Sequence, residues 1–173
     1  MDTHADVDGA DRPASKTTRR PRILYVSYTN PAVYPPLEHS SRILADAGWD
    51  VLFVGTGANG EADRLRFPSH PGIRVKQMKF CAPGLRQKLH FLQYSLWVFQ
   101  QTLAWRPDWI YISQETSTPG AWLASWVPGV RLIYHEHDSG NVPGGPVGRS
   151  IAMLRRRVLR SVQIGRASCR ERV

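Results

Sequence analysis

Four titratable side chains in a row, His135, Glu136, His137 and Asp138, close an apolar run that begins at Val130 (VRLIYH) and lead into Ser139 and Gly140. An imidazole takes or gives a proton near neutral pH, and a carboxylate beside it fixes the tautomer and aims the ring. Ligands of open α/β sheets bind outside the carboxyl ends of the strands, so groups that directly follow a buried strand stand where chemistry is expected. A structural role competes, with Asp138 capping a turn and one of the two histidines as a satisfied buried group. Composition alone leaves both open.

Other motifs carry less. Gly55-Thr56-Gly57-Ala58-Asn59-Gly60 spells G-x-G-x-x-G. A dinucleotide site, however, needs its last glycine to open a helix toward pyrophosphate and an acid roughly 20 residues on, in the first βα turn. Here the motif follows the second apolar run, Pro68 and Pro71 come soon after, and VKQMKF supplies no acid, so a nicotinamide or flavin site is disfavoured. His4 with Asp6-Val7-Asp8 suggests metal ligands, but these lie in a small, charged, Pro-containing stretch over residues 1–20 that reads as a disordered tail. The cluster Arg155, Arg156, Arg157 and Arg160 suits an anionic membrane surface or a solvated helix face. Aromatic residues are not interleaved with it as a single-strand nucleic-acid platform requires, so no nucleic-acid partner is expected.

Something must hold the His-Glu-His-Asp segment at a rim, and the chain supplies alternating elements. Residues 22–28 (RILYVSY) and 49–55 (WDVLFVG) are short apolar runs of the kind buried on both faces of a sheet. Between them Pro36 suits a first helical turn, Leu37, Leu44 and Ala47 recur at helical spacing, and Gly48 can end the helix. Residues 73–78 form a third strand, and Leu85, Leu89, Leu92, Leu96, Phe99 and Leu103 lie at i+3 and i+4 steps along a long helix that Pro107 stops. Residues 108–113 (DWIYIS) and 130–135 are further strands around a short helical segment near 120–126, and a basic amphipathic helix runs over 151–162. Strands alternating with helices predict an α/β fold built on a parallel sheet.

The 173 residues, 42% hydrophobic, suffice for one domain, and the formal net charge is +9 with a pI near 10.2. The stretch 163–173 (QIGRASCRERV) back-translates to a run that closely resembles a common sequencing adapter, and is read as such rather than as part of the domain. It carries Arg166, Arg170 and Arg172 against Glu171, so +7 remains without it, and Cys81 is then the one cysteine left, which excludes a disulfide framework or a cysteine metal cluster. No run reaches the roughly 18 apolar residues that span a bilayer, and the polar start lacks the apolar core of a signal peptide. A cytoplasmic protein is expected, with contact at the inner face of the membrane open through the basic helix.

Taken together, RILYVSY, a helix ending LADAGWDVLFVG, the strand opened by Arg106-Pro107-Asp108 and the strand closed by VRLIYHEHD resemble the N-terminal domain of family 4 glycosyltransferases over residues 22–162. The resemblance implies a Rossmann-like parallel sheet flanked by helices, the N-terminal half of a GT-B enzyme. It implies retaining transfer of a sugar from a nucleotide-sugar donor to a glycan or lipid acceptor, with no cofactor and no metal required. His137 stands at the position of the family's active-site histidine, and Glu136 and Asp138 are candidates to orient it or to bind substrate. Glu115, just past DWIYIS, falls on the same rim as a candidate for acceptor hydroxyls. The first loop departs from the family: it reads Thr29-Asn30-Pro31-Ala32-Val33-Tyr34-Pro35-Pro36 in place of a Gly-Gly pair, and prolines supply no amide hydrogens to a diphosphate. Asn30 and Tyr34 substitute with side-chain donors, or the loop serves only the acceptor. Most of the donor site would lie in a further C-terminal half, without which the domain is expected to be inactive. The alternative reading is a non-catalytic α/β module that binds a nucleotide or anion at the same rim.

Overall fold

The computed structural model describes residues 19–135 and 146–161. Glu136, His137 and Asp138, nearly all of the expected N-terminal tail and the stretch from 163 onward lie outside the described residues.

The strands are β1 (Arg22–Ser27), β2 (Asp50–Thr56), β3 (Ile73–Met78), β4 (Trp109–Ile112) and β5 (Arg131–Tyr134), and the helices are α1 (Pro35–Asp46), α2 (Leu85–Trp105), α3 (Thr118–Ala124) and α4 (Pro146–Ser161). The strands form one five-stranded sheet in the order β3-β2-β1-β4-β5. Every pairing is parallel. This is the Rossmann-like sheet flanked by helices that the sequence implied.

The apolar runs form central strands because both faces of β1 and β2 are covered, as a parallel sheet requires. Ile23, Tyr25, Val51 and Phe53 point to one face and pack with Leu37 and Ala45 of α1. Leu24, Val26, Leu52, Val54, Ile110, Ile112 and Leu132 point to the other, where Tyr94 and Val98 of α2, Ala121 and Ala124 of α3 and Val158 of α4 cover them. At the edge, β3 exposes Arg74 and Lys76, charges that discourage pairing with another chain.

The Arg-Pro-Asp motif has a local explanation. Arg106 ends α2 in the left-handed conformation (φ 51°), and Pro107 has no amide to continue the helix. Asp108 then turns its carboxylate to the start of β1, accepting from the Arg22 amide at 2.8 Å and from Arg19 at 2.7 Å.

One feature of α2 runs against the usual reading of an amphipathic helix. The stripe that marks it in sequence faces outward: Leu85, Leu89, Leu92, Leu96 and Leu103 are 49–80% exposed. Its packed face is Tyr94, Ser95, Val98 and Thr102. The small hydroxyl residues bond back to the Phe91 and Val98 carbonyls, both at 2.9 Å, so they bring no unpaired polar group inward. Close approach to α3 then follows at Gly120, where an added Cβ would lie 3.1 Å from Val98.

Two substitutions separate core from stripe. Phe53→Ala empties a fully buried site between Tyr25 and Phe67 and is expected to cost about 3–5 kcal/mol. Leu92→Gln, on the outward face, is expected to stay within about 0.5 kcal/mol of the parent. Urea unfolding followed by circular dichroism reads both, and a core-sized loss at Leu92 would contradict the orientation of α2.

Candidate functional site at the carboxyl rim

All five strands present their carboxyl ends to one rim, and the sheet order reverses at β1. The first loop begins there. Gly55 allows it to pass, since a Cβ at that position would lie 2.7 Å from the Thr29 carbonyl oxygen and 2.8 Å from Pro31. That steric need explains the first glycine of the G-x-G-x-x-G run. The last, Gly60, opens only the short 3-10 turn Gly60–Arg64 rather than a helix aimed at a phosphate, as the sequence context indicated.

Asn30 does not do what was expected of it. The residue is 2% exposed, and its amide donates to the carbonyls of Ala62 at 2.7 Å and Leu65 at 3.1 Å. Its oxygen accepts from the Ala32 amide at 3.1 Å and from Gln77 at 2.9 Å. With both donors and its acceptor engaged, Asn30 clamps the proline-rich loop to the segment after β2 and offers nothing to a ligand. Tyr34 caps the start of α1, and its ring is partly buried against the core under that helix.

Glu115 lies on the rim, in the 3-10 turn Glu115–Ser117 that follows β4. Its carboxylate pairs with Arg155 of α4 at 2.9 Å, both side chains being mostly buried. Glu115 therefore ties α4 to the rim, and Arg155 is part of that tie rather than of a solvated face; Arg156 and Arg157 remain exposed. His135, the first of the four titratable residues, extends the ladder by donating its amide to the Ile112 carbonyl at 2.9 Å. Its ring Nδ1 meets the Tyr111 hydroxyl, on the α1 side of the sheet. The next three residues are Glu136, His137 and Asp138, whose side chains belong to the undescribed segment.

The structure adds residues that sequence reasoning passed over. The Tyr28 hydroxyl lies 2.9 Å from Nδ1 of His90, one turn into α2. Phe91 and Tyr94 hold the Tyr28 ring edge-on, with centroids at 5.2 Å and 5.0 Å, and Ser117 accepts from the Tyr28 amide at 3.1 Å. Burial, then the neighbouring Cys81, raises the Tyr28 hydroxyl above its ordinary range. Tyr28 and His90 are 62 positions apart, and no local signal pairs them. Beside them opens a cleft of about 820 Å³ walled by Leu85, Phe91 and Ile151.

Charge along β3 and α2 is one-sided. From Leu65 to Pro107 the chain has seven arginines and lysines and no aspartate or glutamate, a distribution that draws anionic partners.

Tyr111 supplies a check by pH. Burial, then the adjacent Tyr25, pushes its hydroxyl from 10.0 up to about 12. A group whose folded pKa is raised keeps its proton more firmly when folded. Its contribution is complete below pH 10.0 and is lost as the pH rises toward about 12. Buried Tyr94 is displaced in the same direction. Tyr111→Phe is expected to make the alkaline fall in urea midpoint shallower without abolishing it, and an unchanged slope would contradict the packing of that ring.

Comparison with known proteins agrees with this architecture. Residues 37–171 match the family model described as glycosyl transferase 4-like domain. Over 146 residues the chain is 30% identical to the UDP-N-acetylglucosamine--N-acetylmuramyl-(pentapeptide) pyrophosphoryl-undecaprenol N-acetylglucosamine transferase of Sodalis glossinidius (strain morsitans), covering 75% of this chain and 36% of that enzyme. The chain thus spans just over a third of the length of that relative. The crystal structure of Acinetobacter baumannii MurG shares the fold with a TM-score of 0.50 at 14% identity, over 78% of this chain and 39% of that one. The fold is that of the N-terminal half of a GT-B glycosyltransferase, and the chain belongs to the glycosyl transferase 4-like family.

Proposed function

We propose that this chain is the acceptor-side half of a glycosyltransferase that moves a sugar from a nucleotide-sugar donor to a glycan or lipid acceptor. The observation that carries the reading is the open carboxyl rim of the parallel sheet, at the point where strand order reverses, in a chain of established family. Substrates of such sheets bind there. The Sodalis relative is named for a UDP-sugar donor and a pyrophosphoryl-undecaprenol acceptor, which makes a UDP-sugar and a lipid-linked acceptor the first pair to try.

His137 is the catalytic residue of this proposal, contacting the transferred sugar three residues beyond the end of β5 at Tyr134, with Glu136 or Asp138 orienting its ring. Transfer proceeds with retention at the anomeric carbon and without an obligatory metal ion, as the family resemblance implies. The groups that stabilise the leaving diphosphate belong to the rest of the enzyme, so the chain alone turns nothing over. In the full-length protein, His137→Ala is expected to lower kcat at least about a hundredfold while the melting temperature barely moves. Wild-type transfer by that variant would remove His137 from the site. The anomeric coupling constant of the product tests retention, activity in EDTA tests the metal, and transfer by the isolated chain would overturn the need for the second half.

Peripheral membrane contact belongs to the same reading, and α2 supports it better than the basic helix α4, through which the sequence left such contact open. Leu89, Leu92, Leu96 and Leu103 stand exposed on one face, in the acid-free stretch that carries Arg86 and Lys88. No described helix is long and apolar enough to cross a membrane, whereas an exposed apolar stripe with basic flanks lies on an anionic surface. The chain is expected to sediment with phosphatidylglycerol vesicles more than with phosphatidylcholine vesicles, less so in high salt. Replacing Leu89, Leu92 and Leu96 with glutamine should abolish sedimentation, and retention by the triple variant would exclude this face.

A further inference from the structure

The amino ends of the strands, opposite the rim, gather arginine. Arg19 and Arg22 reach the end of α2, donating to the carbonyls of Arg106 at 3.1 Å and Trp105 at 2.7 Å. They supply the positive charge that the last turn of α2 lacks. Arg22 and Arg74 lie over the Trp105 ring, 5.6 Å and 5.7 Å from its centroid, and Arg131 of β5 lies 5.0 Å from that of Trp109. Exposed Arg20 and Arg106 complete the group.

The acids at this end are already engaged. Asp108 accepts from the Arg22 amide and the Arg19 guanidinium, Asp50 faces Arg22 at 3.8 Å, and Asp46 at the end of α1 pairs with His70 at 3.1 Å. Among the described residues Arg20, Arg74, Arg106 and Arg131 meet no carboxylate, and all four are exposed. A guanidinium over an indole keeps its N–H donors for an acceptor, so Arg74 and Arg131 are held in place with those donors unused.

The sequence holds a complementary occupant. Residues 1–18, outside the described residues, lead directly into Arg19 and carry Asp2, Asp6, Asp8 and Asp11 with no lysine or arginine before Arg12. Asp11 precedes Arg19 by eight residues, a tether of up to about 26 Å, whereas the sheet from β3 to β5 measures four strand spacings, about 19 Å. Every arginine of the group is thus within reach. A single exposed ion pair holds little, but four carboxylates on a short tether act together at an effective concentration on the order of millimolar. We propose that the aspartates of residues 2–11 dock on the arginines at the amino end of the sheet of the same chain, closing that face to other anionic partners. The carboxyl rim takes no part, and the docking is independent of the transferase reading.

Indole N–H resonances of the whole 173-residue chain report this contact, because Trp105 and Trp109 lie beneath the arginines while Trp97 sits about two turns earlier on α2. Replacing Asp2, Asp6, Asp8 and Asp11 together with asparagine is expected to shift the Trp105 and Trp109 signals and leave Trp97 in place. High salt should move the two parental signals toward the same positions while moving those of the variant far less. A synthetic peptide of residues 1–18, added to the variant, should restore the parental positions with saturation. Adding Arg74→Gln and Arg131→Gln to that variant should weaken the peptide roughly fivefold. Unshifted tryptophans in the quadruple variant would overturn the docking, as would peptide binding indifferent to the loss of both arginines. Parental signals that move to the variant's positions on dilution would put the segment on a second copy and overturn it equally.

Discussion

Everything in this domain depends on β1 being paired on both sides by parallel strands. Parallel strands cannot join by tight turns, so each connection must cross a face of the sheet, and the helices in those crossings bury both faces of the centre. That is why RILYVS is buried at five of its six positions, with the continuous apolar run ILYV inside it, instead of alternating. The same constraint brings all five carboxyl ends to one side, and the strand order reverses there at β1, the place where open α/β sheets take their ligands. Asp108 secures the arrangement at the opposite end, where its carboxylate takes the first amide of β1 and so sets β4 beside it.

The first loop shows how a rim can be held without the flexible glycines such loops use to approach a phosphate. Pro31, Pro35 and Pro36 stiffen it, and Asn30 takes over the hydrogen bonding that the proline nitrogens cannot supply. Four hydrogen bonds converge on that one amide. The loop thereby becomes a wall rather than an anion cradle, which suits an acceptor side better than a diphosphate. The Glu115–Arg155 pair does for the far wall what Asn30 does for the near one, fixing α4 against the end of β4. A mostly buried pair of this kind is costly to break from one side only.

The outward leucines of α2 and the absence of acid from 65 to 107 belong together. An apolar stripe in water promotes association unless its surroundings direct it to a particular partner. A uniformly basic setting repels other basic copies and favours an anionic surface. On the proposed membrane contact α2 has two working faces, with leucines outward and serine and threonine inward.

By itself the sequence determined the elements and their order. Continuous apolar runs, the spacing of prolines and glycines, and the Arg-Pro-Asp start of β4 are local signals, and the parallel α/β fold follows from them because right-handed crossovers leave few alternatives. His137 is singled out by the family resemblance at a strand end, a one-dimensional argument that reaches no further than the end of that strand. Which face α2 buries was decided only in three dimensions, since the periodicity of its leucines says that a helix has an apolar side but not which neighbour covers it. Asn30 read as a possible donor to ligand because its environment, residues 62, 65 and 77, is distant in sequence. Glu115 met Arg155 and Tyr28 met His90 for the same reason. Local composition fixes backbone geometry, whereas the partner of a polar side chain is set by which strands and helices the fold brings to the same rim.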